Sequence, residues 1–447
     1  MISNISLSRR NFFKFKISFF VYVYSIPSIA RSIESTKQAL ITDYYRGDWE
    51  DAFHRAFQNS TVVIIPENVE CKNFNFNLKI PSDKKIIIKG TISGNGKGTI
   101  QISGNNQIEG INGKIIDVMI IISGGTPSLT GLELSGFTRT ARVFIDGADG
   151  NIENLLIHNV VFRDANYGIL RQGHSSTLTK GTITNCRFYN LQGDAIEWNV
   201  AINDEQLLIA NHIIENINNT NKKPYWGIGI GLSGAHYDNL YPKNKTVKNF
   251  IIENIKGTNL RQLIHVENGS NFTIRNITAE NILSEYSDNS GLEPSTIAIY
   301  GSEKFNIQNI TMKNSNGIII GFGVNYGKYI SAPQNFTIKD VKINNTTQLN
   351  VGIKLALGNK KSSVSIENIN IIGASMNILN KPENLTLKNI SIKSMDLKES
   401  AITLNLDKRQ DSRYKFNVID NNLIAITNVQ GISASGEKRV YTQKDLK

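Results

Sequence analysis

The chain has 447 residues, 40% hydrophobic and 19% charged, with a formal net charge of +11 and a pI near 9.3. That composition excludes wholesale disorder, and a chain this long exceeds the usual single-core domain unless it is built from repeats. The basic excess favours an acidic partner. With no RNP, helix-turn-helix or basic-helix pattern, nucleic acid is not expected, whereas an acidic polysaccharide fits the dispersed lysines; so does a solvated surface with no partner.

In chain order, Ser8-Arg9-Arg10-Asn11-Phe12-Phe13-Lys14 precedes an apolar run from Ile17 to Ile29 and the small-residue site Ser28-Ile29-Ala30. A charged start, a short apolar stretch and small residues at −3 and −1 predict a secretory signal over residues 1–30. The paired arginines resemble the twin-arginine export address. The apolar run is too short for a stable membrane span, so a periplasmic protein with no span after cleavage is expected to begin near Arg31. Cys71 and Cys186 lie far apart without metal-ligand spacing and are expected as separate packed thiols rather than a disulfide.

Residues 48–58 carry a helical period, with Asp48 as cap and Trp49, Phe53, Ala56 and Phe57 on one face. Because a solenoid needs its open end covered, this helix is expected to be the N-terminal cap. The apolar runs at 61–66, 85–92 and 115–122 follow as early coils. Gly94 to Gly98 lacks the spacing of a phosphate loop and is read as a turn.

From residue 154 one phrase recurs: apolar, any, Ile or Leu, any, then Asn or Asp. Its copies place that polar residue at Asn159, Asn185, Asn211, Asn254, Asn276, Asn309, Asp340, Asn368 and Asn389, a mean spacing of about 29 residues. Period-two alternation within each copy is a strand signal. Asn and Asp tolerate left-handed backbone at a bend, and stacked copies form an amide ladder. The pattern predicts an all-β, right-handed parallel β-helix over residues 31–410, then a C-terminal coil or tail over 411–447. Long intervals carry Tyr225, Trp226, His236, Tyr237, Asp238 and Tyr241, then Tyr286 and Asp288, then Tyr326 and Tyr329. Such inserts map to loops on one face of a solenoid, where the rings either stack on sugars or pack the loops down.

After each bend a second strand follows. Aligned on Ile169, Ile196, Ile228, Ile264, Ile297, Ile318 and Ile353 as inward residues, these strands send Glu197, Gly229 and His265 outward. Two positions on, the outward row reads Asn199, Gly231, Glu267 and Tyr300. A groove is expected with Gly229 and Gly231 as its floor, Glu197 and His265 as walls, and Asp194, Arg171 and Arg261 at neighbouring strand ends. Uronate β-elimination would use Arg171 or Arg261 to neutralise the carboxylate and His265 or Tyr300 as base. Glycoside hydrolysis would draw on Asp194, Glu197 and Glu267, with Arg171, Arg261, Asn199, Trp226 and Tyr237 holding substrate. These exposed groups equally suit a binding or structural solenoid without catalysis. No metal or cofactor motif is read.

The segments NYGILRQGH (166–174), LQGDAIEWNVAIND (191–204), WGIGIGL (226–232) and RQLIHVENG (261–269), behind a twin-arginine leader, resemble the WcaM-type colanic acid biosynthesis proteins. The likeness runs from the leader to about residue 410. It implies a periplasmic, pectin-lyase-like β-helix with a role in making or processing a uronate-containing slime polysaccharide, and it supplies no reaction. The galacturonase pattern of the wider fold group is not met: Gly193-Asp194-Ala195 offers one aspartate where a pair is required, and Gly173-His174 lacks the second glycine. No aspartate cluster resembles a pectate-lyase calcium site. Fold alone does not fix function.

Overall fold

The computed structural model describes residues 37–172, 176–201, 203–218, 227–234, 247–286, 293–325, 328–349, 351–357, 362–379, 384–393, 402–406, 415–419, 429–433 and 438–441. Nearly all of its strands join one sheet in which each segment pairs in parallel with the equivalent segment of the next coil. Parallel crossovers wind right-handed, and the chain is a right-handed parallel β-helix.

The bends explain the repeat. All nine repeated Asn and Asp positions adopt left-handed backbone, with φ between 54° and 62°. Their side chains join coil to coil: Asn254 donates to Asn211 at 2.9 Å, Asn276 to Asn254 at 2.9 Å, and Asn309 to Asn276 at 2.7 Å. Asn368 donates to Asp340 at 2.7 Å and Asn389 to Asn368 at 2.9 Å. Asp340 has no amide hydrogen to pass on to Asn309. A second ladder, not read from the sequence, runs five residues further along the coils from Asp164 to Asn281. There Asn190 donates to Asp164, Asn259 to Asn216, and Asn281 to Asn259, at 2.8–3.2 Å, all at positive φ.

Between bends, alternation drives Ile, Leu, Val and Phe inward. Phe250, Phe272, Phe305 and Phe336 stack in the core with centroids 4.4–5.0 Å apart. At the N-terminal end the helix Trp49–Asn59 buries Ala52, Phe53, Ala56 and Phe57, and the Asp48 side chain accepts from the Asp51 amide. Cys71 and Cys186 are separate buried thiols, both pushed up to about 12 chiefly by burial.

At the other end, parallel pairing passes the boundary expected at 410. Lys415–Ile419 pairs with Asn384–Lys393, and Val429–Ser433 pairs with Ile402–Leu406 before folding back antiparallel on Lys438–Tyr441. No helix among the described residues is long and apolar enough to cross a membrane.

Candidate functional site

The strands Ile196–Ala201, Ile228–Gly234, Gln262–Glu267 and Ser295–Tyr300 lie side by side on one face of the solenoid. Ile196, Ile230, Ile264 and Ile297 share a fully buried inward row, as do Trp198, Leu232, Val266 and Ile299. Between these rows Glu197, Gly231, His265 and Ala298 align coil to coil. The register differs by two residues from the sequence expectation, which set Ile228 and not Ile230 against Ile196. In the segment GIGIG a slip of two leaves every residue facing the same way, so the pattern alone is degenerate. One contact that pins it is with Asp194, whose Oδ1 accepts from the Ile228 amide at 2.7 Å.

The correction moves Gly229 off the groove floor. A Cβ there would sit 2.6 Å from the Leu263 carbonyl, so Gly229 permits close packing between coils. Gly231 takes the floor between Glu197 and His265. A Cβ on it would meet nothing nearer than 3.9 Å. Packing does not demand this glycine, and any larger side chain would fill the groove. Glu267 aligns with Ser233 and Tyr300, not with Gly231.

The groove, about 230 Å³, is lined by Asp194, Glu197, Trp198, Asn199, Ile228, Gly231, Leu232, Ser233, His265 and Glu267. With coils about 4.8 Å apart, Glu197 and His265 stand about 9–10 Å from each other across Gly231. Burial raises the Glu197 carboxyl to about 7, against a Tyr167 hydrogen bond and the His265 ring, which both favour its ionised form. Asp194 is 1% exposed. Burial, then the neighbouring Glu197, holds its carboxyl well above the usual range, and its Oδ2 has no hydrogen-bond partner among the described residues. Two adjacent carboxyls that resist ionisation hold a proton near neutral pH.

On the opposite wall His265 and Glu267 are hydrogen-bonded to each other. Gln262 donates through Nε2 to the Glu293 carbonyl at 2.6 Å, which turns its Oε1 toward His265 Nδ1 at 2.9 Å. Nδ1 therefore carries a hydrogen. His265 Nε2 lies 2.9 Å from Glu267 Oε1, so one proton is held between them.

Several residues expected at the site stand elsewhere. Arg171, expected to neutralise a substrate carboxylate, aligns with Trp198 in an inward row and is 1% exposed. Its Nε meets Asp204 Oδ2 at 3.1 Å and its NH2 donates to the Ser176 carbonyl at 2.7 Å. Asp204 is fully buried, and this guanidinium is its counter-charge. Arg261 is 3% exposed and absent from the groove lining; its charge favours the ionised form of Tyr300. Tyr300, its ring centroid 5.4 Å from that of His265, is also absent from the lining. Burial raises its hydroxyl to about 12, so it keeps its hydrogen at neutral pH. Trp226 and Tyr237 lie outside the described residues, as do Tyr225, His236, Asp238, Tyr241, Asp288, Tyr326 and the predicted signal at 1–30. Tyr286 is described; its hydroxyl donates to Asn259 Oδ1 at 3.3 Å.

Tyr167, Ser233 and Gln262 contribute without having been read from the sequence. Gln262 lies three residues before His265, a spacing that strand alternation does not link. No group of three or more His, Cys, Asp or Glu suited to a metal occurs among the described residues.

Among solved structures, endo-xylogalacturonan hydrolase from Aspergillus tubingensis superposes with a TM-score of 0.42 at 12% identity, covering 82% of this chain and 95% of that one. Similarity at that level bears on neither chemistry nor substrate. Sequence relatives are far nearer. The colanic acid biosynthesis protein WcaM of Shigella flexneri is 41% identical over 415 residues, 92% of this chain and 89% of its own length. That of Salmonella typhimurium is 40% identical over 423 residues, 94% of this chain and 90% of its own. The family model for colanic acid biosynthesis WcaM matches residues 4–444. With that match and those relatives, the chain belongs to the WcaM family of colanic acid biosynthesis proteins.

Proposed function

We propose that this protein acts in colanic acid biosynthesis as a periplasmic glycoside hydrolase of the acidic, uronate-containing polysaccharide. The observation that carries the reading is the pairing, across the open Gly231 floor, of a proton-holding Asp194–Glu197 pair with the His265–Glu267 pair. Hydrolysis uses both walls. Glu197, near 7, gives its proton to the leaving glycosidic oxygen as the C–O bond breaks. Water adds to the anomeric carbon and passes its proton to the His265–Glu267 wall.

β-Elimination is the weaker reading. It needs a cation on the substrate carboxylate, and Arg171 is committed to Asp204 while Arg261 does not line the groove. Its alternative base, Tyr300, is held protonated. A binding solenoid without catalysis is favoured by one feature, the hydrogen bond between His265 and Glu267.

Incubation of the purified protein with the polymer separates the three. New reducing ends without ultraviolet absorbance of an unsaturated uronate indicate hydrolysis, and absorbance indicates elimination. Retention of the polymer with neither signal indicates binding alone. The periplasmic location rests on the Arg9-Arg10 leader. Replacing both arginines with lysine is expected to leave the protein in the cytoplasm, and normal periplasmic accumulation would rule out the twin-arginine route.

A further inference from the structure

We propose that the Gly231 groove receives an uncharged sugar unit of the polysaccharide and turns its uronates away. This rests on the reading of the groove as the polysaccharide site. Among the described residues the lining offers no lysine or arginine. Three of its side chains are carboxyls, Asp194, Glu197 and Glu267. The imidazole of the described lining, His265, is engaged with Glu267 at 2.9 Å and with Gln262 at 2.9 Å, so it is not free to meet a substrate carboxylate.

A uronate seated on Gly231 would bury its carboxylate beside Asp194 and Glu197 with no cation among the described lining residues. Burying a charge without a partner is expensive. The hydroxyls of a neutral ring, by contrast, meet what the groove presents. The carboxyl groups of Asp194, Glu197 and Glu267 stand among the residues that line it. Ser233 and Asn199 add groups that both donate and accept. At about 230 Å³ the space lies below the roughly 300–1,000 Å³ of pockets for drug-sized ligands, which suits a single ring.

Two kinds of recognition are then separated in space. The net charge, +7 without the predicted leader at 1–30 and its four basic residues, draws the polyanion to the molecule at long range, while the groove selects which unit enters. The first should weaken with salt and the second should not.

The test is binding of the native polymer and of the same polymer with its carboxyls reduced to alcohols, at low and at raised salt. Wild-type protein is compared with Gly231→Leu and, should that variant fold poorly, with Gly231→Ala. At raised salt the reduced polymer is expected to bind wild type within about threefold of the native polymer, with Gly231→Leu weakening both about tenfold. At low salt the native polymer binds more tightly than the reduced one. Loss of the Gly231-dependent binding on carboxyl reduction would overturn the proposal, because the groove would then be reading the uronate. If the native polymer shows no Gly231-dependent binding at all, the assignment of the groove as the polysaccharide site falls as well.

Discussion

The substitution Glu197→Gln turns the environment of this carboxyl into a stability measurement. Its folded value of about 7 stands above the ordinary 4.5, chiefly through burial. The folded state therefore holds the proton more tightly than the unfolded state, and the sign follows from linkage. The contribution to stability is fully present below about pH 4.5 and is lost as pH rises through 7. A shift of that size corresponds to on the order of 3 kcal/mol. Glutamine, close in shape and never ionised, escapes the loss. The variant should match wild type near pH 4.5 and exceed it at pH 8 by up to roughly 3 kcal/mol. With an unfolding entropy of about 2.1 cal/mol/K per residue, that is about 3–4 °C in Tm for a solenoid of this length. Thermal melts by circular dichroism across pH 4.5–8 measure it, and reducing-end release should fall in the same variant. A difference that stays constant with pH, or that favours wild type at pH 8, would refute a raised Glu197. It would also remove the group assigned as proton donor.

Arg171→Met leaves Asp204 buried without its counter-charge and should cost about 3–5 kcal/mol. The double variant Arg171→Met, Asp204→Asn should recover much of that in denaturant unfolding. An undiminished midpoint with lost polymer binding would instead return Arg171 to the substrate. Asn276→Ala breaks one hydrogen bond given and one received in the bend ladder and puts alanine at φ 58°, an expected loss of about 2–3 kcal/mol. Asn276→Gly, which tolerates that φ, should lose less; equal losses in the two would mean that the amide ladder, not the backbone bend, carries the cost.

The fold was legible because one chemical requirement recurs. Each coil must turn through left-handed backbone, and Asn or Asp supplies it at Asn159 through Asn389. The helix at Trp49–Asn59 was legible from its cap and apolar face. The second bend ladder was equally present as Asn or Asp five residues on, but it lies outside the phrase that defined the repeat.

The groove was legible only in part. Alternation placed Glu197 and His265 on one outward face, yet the Ile-Gly-Ile-Gly run at 228–231 fits two registers alike, and the choice rests on contacts such as that between Asp194 and the Ile228 amide. Arg171 misled for a different reason. A charged residue in a strand pattern reads as outward-facing, and its partner Asp204 lies a full coil away in sequence. The proton relationships among Asp194, Glu197, Tyr167 and Gln262 depend on burial and on cross-coil contacts that no local pattern records.

The central claim is that the space above Gly231 is where the polysaccharide is held, and polymer affinity of Gly231→Leu tests it most directly. A Cβ at this position meets nothing nearer than 3.9 Å, and the groove of about 230 Å³ beyond it gives the leucine side chain room to enter without displacing the coils. The account predicts an unchanged melting temperature with polymer binding weakened about tenfold. Wild-type affinity in a folded Gly231→Leu protein would contradict it.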